Sequence, residues 1–416
     1  MMEVTYLIMD VSTIYNINKY INRFKVEKLL TKLIGIYSPY LQEQEAMNYV
    51  YSWLKEKDIA VKYHNYTEDK ILNYKGINVI GRIKGQKKGP VVLLNGHLDT
   101  VKICEGWTRE PLKATIEGDR LYGLGALDMK SGVVAIMLAL EAFVNTVGEF
   151  NGEVLYTLVS DEEGPYGLGT DSLILDGITD DVDVAIVTEP SSGFTGIDFP
   201  CLCLGARGGW SYTVEFIGKS AHAANPEEGI SAINDAAKVL LELEKVELKE
   251  DEKLGKGSNC VIGISGGGAA CSVADKAEFT IFRHIVRHEN KEYIINEINK
   301  AIKRANIRSK TNIKFRQSPH EDNGGFQPYI VDKDNPYTKI IQQSIKEITN
   351  TEATISYFSS IGDFNYLGSR VNVPTFVFGP SGANYHTADE YVLLDTVVET
   401  SQIIYDFLVK TLVKDL

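Results

Sequence analysis

Histidine and acidic side chains follow several short apolar segments in this chain of 416 residues. The segments that carry these side chains, each directly after an apolar run, are Asn95–Asp99, Ser160–Gly164, Thr188–Pro190 and Gly379–His386. A further acid, Asp128, lies in a glycine-rich segment at the start of an apolar helical pattern. Ligands of open α/β sheets bind outside the carboxyl ends of the strands. We therefore expect these side chains to meet in one crevice.

A bound metal is the chemistry that such a group favours. Carboxylates that are forced together repel and raise one another's pKa, and a bound cation removes that cost. Histidine combined with Asp and Glu, without a cysteine thiolate, favours zinc or a similar borderline ion. Five ligands are too many for one catalytic ion with an open position. They suit two ions about 3.5–4 Å apart that share a bridging carboxylate.

Each of these signals is weak when taken alone. A single histidine after a strand is usually a hydrogen-bonded core or surface residue. An acidic pair such as Glu162-Glu163 is usually a solvated turn, and a glycine-rich segment such as Gly123–Gly132 usually only forms turns. The coincidence of all of them at four strand ends and one helix start favours the metal site.

The elements that must position these residues are predicted from the hydrophobic pattern. Four short apolar runs precede the segments named above, and helical patterns separate several of them. Val133–Val144 is apolar nearly all round, which suits a helix packed on a sheet, and Pro336–Ile348 is more amphipathic. This alternation predicts an α/β domain with a buried, largely parallel sheet flanked by helices.

The middle of the chain predicts a second domain inserted into the first. From about Gly205 to Phe315 the pattern reads strand, helix, strand, strand, helix, strand. This βαββαβ order is the ferredoxin-like split βαβ arrangement. We predict a catalytic domain formed by residues 1–204 and 318–416, with residues 205–317 inserted. The charged segment Lys245–Lys256 is predicted to be a solvated connection.

Composition excludes several classes of protein. The 43 basic and 56 acidic residues give a net charge of −13, which argues against a broad nucleic-acid surface. No segment is apolar over about 18 residues, so no membrane span is predicted.

The first residues are a poor secretory signal, and the five cysteines form no C-x-x-C pair, which together favour the reduced cytoplasm. Cys201 and Cys203 suggest a metal pair, but we interpret them as residues of a buried strand.

The motifs also resemble a known family. GHLDTV, GLGALDMKSG, SDEEG, TEP and YHTADEYV occur in the order found in the di-zinc exopeptidases and deacylases. That family includes succinyl-diaminopimelate desuccinylase, acetylornithine deacetylase, aminoacylase and glutamate carboxypeptidase. The resemblance extends from about Val26 to the C-terminus and implies a zinc exopeptidase-like fold. We have no functional interpretation of the first 25 or so residues beyond an extra helix or strand.

The resemblance implies that each subunit binds two zinc ions, for which cobalt can substitute. It assigns His97 and Glu189 to one zinc and Glu163 and His386 to the other, and it makes Asp128 the bridge. It also implies a cis peptide bond after Asp128.

Two further residues receive roles beside the ligands. In the family, a carboxylate at the position of Asp99 orients the histidine ligand at the position of His97. A metal-bound imidazole needs such a partner on its other ring nitrogen. Glu162 is the expected general base, which takes a proton from the attacking water and delivers it to the leaving amine. This chemistry is hydrolysis without a covalent enzyme intermediate.

The inserted domain is expected to act as a lid and a dimerisation domain. His222 lies in a segment that resembles the family's lid motif, whose histidine stabilises the oxyanion in the partner subunit's site. The alternative for His222 is an ordinary loop histidine before a helix. Arg283 loosely resembles an arginine that receives a substrate carboxylate, although Ile281 replaces the acid of that motif. The alternative for Arg283 is an ordinary ion pair.

The resemblance implies that the substrate is an N-acyl amino acid or a short peptide. Our first choice is a cytoplasmic homodimer that removes an acetyl or succinyl group from an amino acid, as in arginine or lysine and diaminopimelate metabolism. A dipeptidase or carboxypeptidase is the alternative, and a non-catalytic dimeric binding protein is a remote one. Arg283 and the loop around Gly382 suit the free α-carboxylate that all these substrates carry, so neither decides among them.

Other features leave the acyl group open and exclude other reactions. Cys271-Ser272-Val273-Ala274-Asp275 departs from the family's N-x-V-P-D sequence, so the asparagine that can reach the substrate is absent. The chain has no G-x-S-x-G nucleophile motif. Its glycines near Gly123 do not have a lysine–hydroxyl pair at the spacing of a P-loop, which argues against that phosphate-binding class.

Overall fold

The computed structural model describes residues 17–413. These residues form two compact units. The first unit contains the described residues up to Gly205, the segment Ile330–Phe358, and the chain from Gly362 onward. The second unit contains Ala206–Tyr329 and Ser359–Ile361. Most of the segment before Val26, for which an extra helix or strand was predicted, lies outside the described residues.

The helices and strands have the following bounds. The α-helices are α1 (Arg23–Ile34), α2 (Gln44–Glu56), α3 (Ser131–Thr146), α4 (Leu168–Leu175), α5 (Ser191–Thr195), α6 (Ala232–Glu244), α7 (Lys291–Ala305), α8 (Pro336–Thr349), α9 (Asp363–Tyr366) and α10 (Leu394–Leu412). The strands are β1 (Lys62–Glu68), β2 (Tyr74–Lys84), β3 (Lys87–His97), β4 (Thr115–Glu117), β5 (Arg120–Tyr122), β6 (Asn151–Val159), β7 (Val184–Val187), β8 (Cys201–Ala206), β9 (Gly208–Ile217), β10 (Glu250–Asp251), β11 (Gly255–Lys256), β12 (Ser258–Gly267), β13 (Lys276–Ile285), β14 (Lys310–Phe315), β15 (Tyr329–Ile330), β16 (Thr354–Phe358), β17 (Thr375–Val377), β18 (Gly382–Ala383) and β19 (Tyr391–Leu393).

The main sheet of the first unit has the strand order β1-β2-β6-β3-β7-β17-β8-β15, with β16 beside β8. Its centre is parallel, because β3 runs parallel to β6 and β7, and β17 runs parallel to β7. Strands β1 and β2 extend it in an antiparallel direction. The predicted mixed α/β fold with a largely parallel sheet is confirmed. The carboxyl ends of β3, β6 and β7 therefore meet at one edge.

Helix α3 shows why the apolar pattern predicted a sheet-packed helix. Residues 131–143 of this helix are all buried. It packs against β3 and is covered by α1 and α10. A helix surrounded on all sides needs apolar residues on all sides, which is what this segment carries.

The second unit is built on the sheet β12-β13-β9-β14, whose strand pairs are antiparallel. Apolar side chains of β9 and β13 alternate with exposed ones and pack against α6 and α7. The predicted βαββαβ order is present. The segment predicted as a solvated connection contains the small hairpin β10–β11.

The compact unit continues past the predicted boundary at 317 because of a backbone pairing. The amide of Gly209 donates to the carbonyl of Phe326, and the amide of Phe326 donates back to Gly209. These two hydrogen bonds join the segment after β14 to the start of β9 and so to the second unit. The lid and dimerisation roles of this unit stay predictions.

Candidate metal centre

The predicted ligands are brought together by two sheets of the first unit. His97 is the last residue of β3, Glu163 follows the end of β6, and Glu189 follows the end of β7. A small sheet of order β18-β19-β5-β4 places the segment after Gly382 beside the segment that leads to Asp128. In its register, Tyr391 pairs with Tyr122. The carboxyl-end crevice of the main sheet and this small sheet thus supply the two halves of the site.

One group consists of His97, Asp128 and Glu189, all of them buried. The Nε2 atom of His97 lies 3.4 Å from Asp128 Oδ1 and 3.4 Å from Glu189 Oε1. Within residues 17–413 this nitrogen is a buried polar atom without a hydrogen-bond partner. A buried nitrogen faced by carboxylate oxygens beyond hydrogen-bond contact is the arrangement expected around a cation.

A second group consists of Asp128, Glu163 and His386. His386 Nε2 lies 2.9 Å from Glu163 Oε1 and 3.3 Å from Asp128 Oδ2. The two oxygens of Asp128 therefore face different histidines. This is the geometry of a carboxylate that bridges two ions, and the donor set of each group fits a zinc-like cation.

The other ring nitrogen of His97 is anchored by Asp99. His97 Nδ1 lies 3.0 Å from the backbone carbonyl oxygen of Asp99 and 3.4 Å from its carboxylate. The same carboxylate accepts a hydrogen bond of 2.8 Å from the amide of Glu163. Asp99 thus fixes the ring of one candidate ligand and the backbone of another, which is the kind of support that metal-binding imidazoles have.

The electrostatics of the site show a strong demand for positive charge. Burial lowers the pKa of His97, but the carboxylates of Glu189, Asp128 and Asp99 raise this pKa well above its usual value. Burial raises the pKa of Glu189 to about 8, with Asp128 adding to the effect. In the absence of cations, protons must therefore supply the compensating charge. Divalent ions would supply it while leaving the imidazoles neutral and the carboxylates ionised, as ligands must be.

Glu162 lies beside both groups without belonging to either. Its Oε2 is 3.7 Å from His97 Nε2, and its side chain is 13% exposed. Burial raises its pKa well above the usual value, and the neighbouring acids Glu189 and Asp363 raise it further. A carboxylate at this position, close to the ligands and still reached by solvent, can exchange a proton with a reacting molecule.

Glu390 is a site residue for which the sequence analysis predicted no role. Its buried carboxylate accepts hydrogen bonds from the amides of Gly125 at 2.8 Å, Leu127 at 2.8 Å and Asp128 at 3.0 Å. It therefore holds the backbone that carries the bridging candidate. The peptide bond between Asp128 and Met129 is cis, as the resemblance implies.

A layer of buried acids behind the site was also not predicted. Glu43 accepts from the amides of Leu41 and Asp161 and from the hydroxyl of Tyr74. Asp363 accepts from the hydroxyl of Thr170 at 2.6 Å. Burial raises the pKa of both carboxyls to about 7. The one sequence feature that points to this layer is the acidic run after β6, because its first residue, Asp161, contacts Glu43.

The structure places the remaining predicted residues as follows. His222 is exposed in the second unit, and its Nδ1 accepts from the amide of Ala224. Arg283 is buried in the same unit, 2.5 Å from Glu289 and 3.4 Å from Glu297. The ion pair considered as an alternative for Arg283 is therefore present. Gly382 lies in β18, where a Cβ atom would stand 2.0 Å from the carbonyl oxygen of Tyr391, so strand pairing alone requires glycine there.

Cys201 and Cys203 are buried in strand β8, as predicted. All five cysteines are free, and all lie within the described residues. Among residues 17–413, no helix has the length and the hydropathy that a membrane span requires.

The fold and the two ligand groups define a metallohydrolase of the mixed α/β class. The model of peptidase family M20/M25/M40 matches residues 93–410, which is most of the chain. The chain belongs to this peptidase family. The family assignment confirms the predicted resemblance and the predicted class of enzyme, a hydrolase of C–N bonds.

Curated relatives carry the name succinyl-diaminopimelate desuccinylase. The protein of that name from Psychrobacter arcticus is 28% identical over 334 residues, which cover 78% of this chain and 79% of the relative. The one from a Sulfurovum species is 25% identical over 375 residues, which cover 89% and 95%.

Solved structures show the same fold in peptidases. A tripeptidase from Staphylococcus aureus has a TM-score of 0.75 at 20% identity, covering 93% of this chain and 98% of its own. A dinuclear metal-binding peptidase of the M20 family from Bacillus subtilis has a TM-score of 0.67 at 15% identity, covering 93% and 98%.

Proposed function

We propose that this protein hydrolyses an amide bond with the help of two divalent cations, zinc by preference, bound by the two ligand groups. His97 and Glu189 hold one ion, Glu163 and His386 hold the other, and Asp128 bridges them. The substrate is an N-acetyl or N-succinyl amino acid, and the alternative is a short peptide.

One observation carries this proposal. The two oxygens of Asp128 face two different histidines, and each histidine faces a second carboxylate. Two symmetrical histidine–carboxylate groups that share an acid are suited to holding a pair of ions on either side of it.

The reaction divides between the ions and the chain. When bound, divalent cations make water more acidic and polarise the scissile carbonyl group. Glu162 accepts the proton of the attacking water and returns it to the nitrogen of the leaving amine. Asp99 keeps the ring of His97 in the orientation that binds metal.

Curated relatives and solved structures favour different substrates, an N-acyl amino acid in one case and a peptide in the other. The curated relatives of higher identity are named desuccinylases, which favours a deacylase. The solved structures include a dipeptidase and a carboxypeptidase at under 20% identity, and these share the fold. We therefore keep deacylation first and peptide hydrolysis second. The roles of Arg283 and Gly382 in carboxylate binding stay predictions, and the proposal does not depend on them.

We also propose a homodimer that works in the cytoplasm. Strand β12 lies at the edge of its sheet and exposes Val261, Ile262 and Ile264. An apolar edge strand is a template for pairing with another chain, and a second copy is the partner proposed here.

His222 is exposed, which its proposed role in a partner subunit requires. The free cysteines suit a reducing compartment.

The test is hydrolysis by metal-free protein to which zinc or cobalt is added back. The metal-loaded protein should cleave at least one substrate among N-acetyl amino acids, N-succinyl amino acids and dipeptides. Chelation of the metal should abolish this cleavage. Glu162→Gln should lower kcat by about 10²–10⁴, because only proton transfer is removed. The variant should still bind zinc with nearly wild-type affinity.

Glu153→Gln is the matched control, because Glu153 lies on β6, the strand that leads to Glu162, but pairs with Arg82 instead. It should keep wild-type kcat. Hydrolysis that survives chelation would reject the metal-dependent mechanism, and near-wild-type turnover of Glu162→Gln would reject Glu162 as the base.

A further inference from the structure

Four aromatic rings of the first unit contact one another in series, and two of them lie near candidate ligands along the chain. The ring of Phe194 lies 4.1 Å from that of Tyr385, with the planes 22° apart. The ring of Phe194 also lies 4.6 Å from that of Phe358, with the planes 40° apart, and the ring of Phe358 meets that of Phe364 edge to face at 4.9 Å. We call these four rings the aromatic stack.

The aromatic stack is tied to ligands of both ions. Phe194 belongs to the short helix α5, which begins two residues after Glu189, and its amide donates to the carbonyl of Pro190. Tyr385 precedes His386, and the two rings lie 6.1 Å apart. The stacked pair Phe194–Tyr385 is therefore joined along the chain to one candidate ligand of each ion.

The burial of the rings is graded. Phe358 and Phe364 are 2% and 1% exposed, so they belong to the core. Phe194 and Tyr385 are only half-buried. The two half-buried rings form an apolar surface, and Phe194 is packed against the buried ring of Phe358. Such a surface gains free energy when a ligand covers it, most of all when that ligand carries a flat ring.

Resting on the proposed function, we infer that the substrate carries an apolar, preferably aromatic, group next to the hydrolysed amide, and that Phe194 and Tyr385 bind this group. Rings at these two positions offer dispersion and stacking rather than a charge. They suit an apolar side chain or acyl group better than the charged end of a succinyl group or of a basic amino acid.

Two matched pairs of substrates test the inference with zinc-loaded enzyme. N-acetyl-phenylalanine is compared with N-acetyl-lysine, and N-benzoylglycine with N-succinylglycine. In at least one pair, kcat/KM should be about tenfold higher for the aromatic member. Phe194→Ala should lower that preference about tenfold, mainly through KM, while zinc affinity stays unchanged. Phe194→Leu should give an intermediate preference because it keeps apolar area.

Tyr51→Ala is the matched control, because Tyr51 and Tyr63 form an equally close stack, 4.1 Å apart, elsewhere in the first unit. It should keep the wild-type preference. Hydrolysis confined to the polar members, or a preference that Phe194→Ala does not change, would overturn the inference. A loss of zinc affinity in Phe194→Ala would overturn it in favour of a purely structural stack. Failure to hydrolyse any amide with metal present would instead reject the proposed function itself.

Discussion

At the scale of single residues, the site depends on how Asp128 is held. Its side chain faces His97 and His386, while its amide donates to Glu390. Glu390 also accepts from two neighbouring amides, so one carboxylate orders the whole segment. A carboxylate that accepts several backbone hydrogen bonds is suited to fixing a loop whose side chain must meet two ions.

Glu390→Gln should weaken zinc binding about 10- to 100-fold. The amide nitrogen of glutamine cannot accept a hydrogen bond, so at least one of the three amides loses its partner and the segment of Asp128 relaxes. Competition for zinc with a chromogenic chelator measures the affinity. Glu399→Gln is the control, because Glu399 is a half-buried acid on α10 and should leave the affinity unchanged. Equal affinities for wild type and Glu390→Gln would rule out this positioning role.

The residues that could be predicted from the sequence are those that belong to motifs. His97, Asp128 and His386 stand in segments whose residue types already indicate metal binding. Glu390 lies four residues after His386, yet its partners are backbone amides, and residue types do not mark these. Glu43 has no motif at all, and its role depends on the fold bringing α2 beside the acids after β6.

At the scale of elements, the edge strand β12 shows what pattern can and cannot predict. The βαββαβ pattern predicted a second strand in the inserted domain, and this strand is β12 (Ser258–Gly267). The pattern could not show that β12 is the edge of the sheet, because the order of strands depends on tertiary pairing. Ile264 is 65% exposed there, although its residue type suggests a core position. Strands β9 and β13, both central, instead bury alternate side chains.

Ile264→Lys should convert the proposed dimer into a monomer. A charge on the apolar edge opposes pairing with a second copy, as natural edge strands demonstrate. Light scattering after gel filtration measures the mass in solution. Leu175→Lys is the control, because Leu175 is 60% exposed in the first unit, and this variant should stay dimeric. A wild-type protein that is already monomeric, or an Ile264→Lys variant that stays dimeric, would contradict pairing through β12.

At the scale of the whole molecule, acidic composition and function are connected. The chain has a net charge of −13, and four of its acids are the candidate metal ligands and the proposed base: Asp128, Glu162, Glu163 and Glu189. Cations bound as proposed would offset this local charge, and the metal-loaded protein would then be less negative than its sequence. Net charge alone could not separate such acids from ordinary surface acids. Only their convergence at one sheet edge does so.

The number of zinc ions bound per chain tests the central claim most directly. Metal-free protein is loaded with zinc, freed of excess ions by gel filtration, and measured by mass spectrometry of the metal. Wild type should hold two ions per chain, and Asp128→Asn should hold no more than one, because the shared ligand is weakened. Asp181→Asn, at a surface ion pair with Arg82, should still hold two. A wild type that binds one ion or none, or an Asp128→Asn variant that still binds two, would contradict a pair of ions bridged by Asp128.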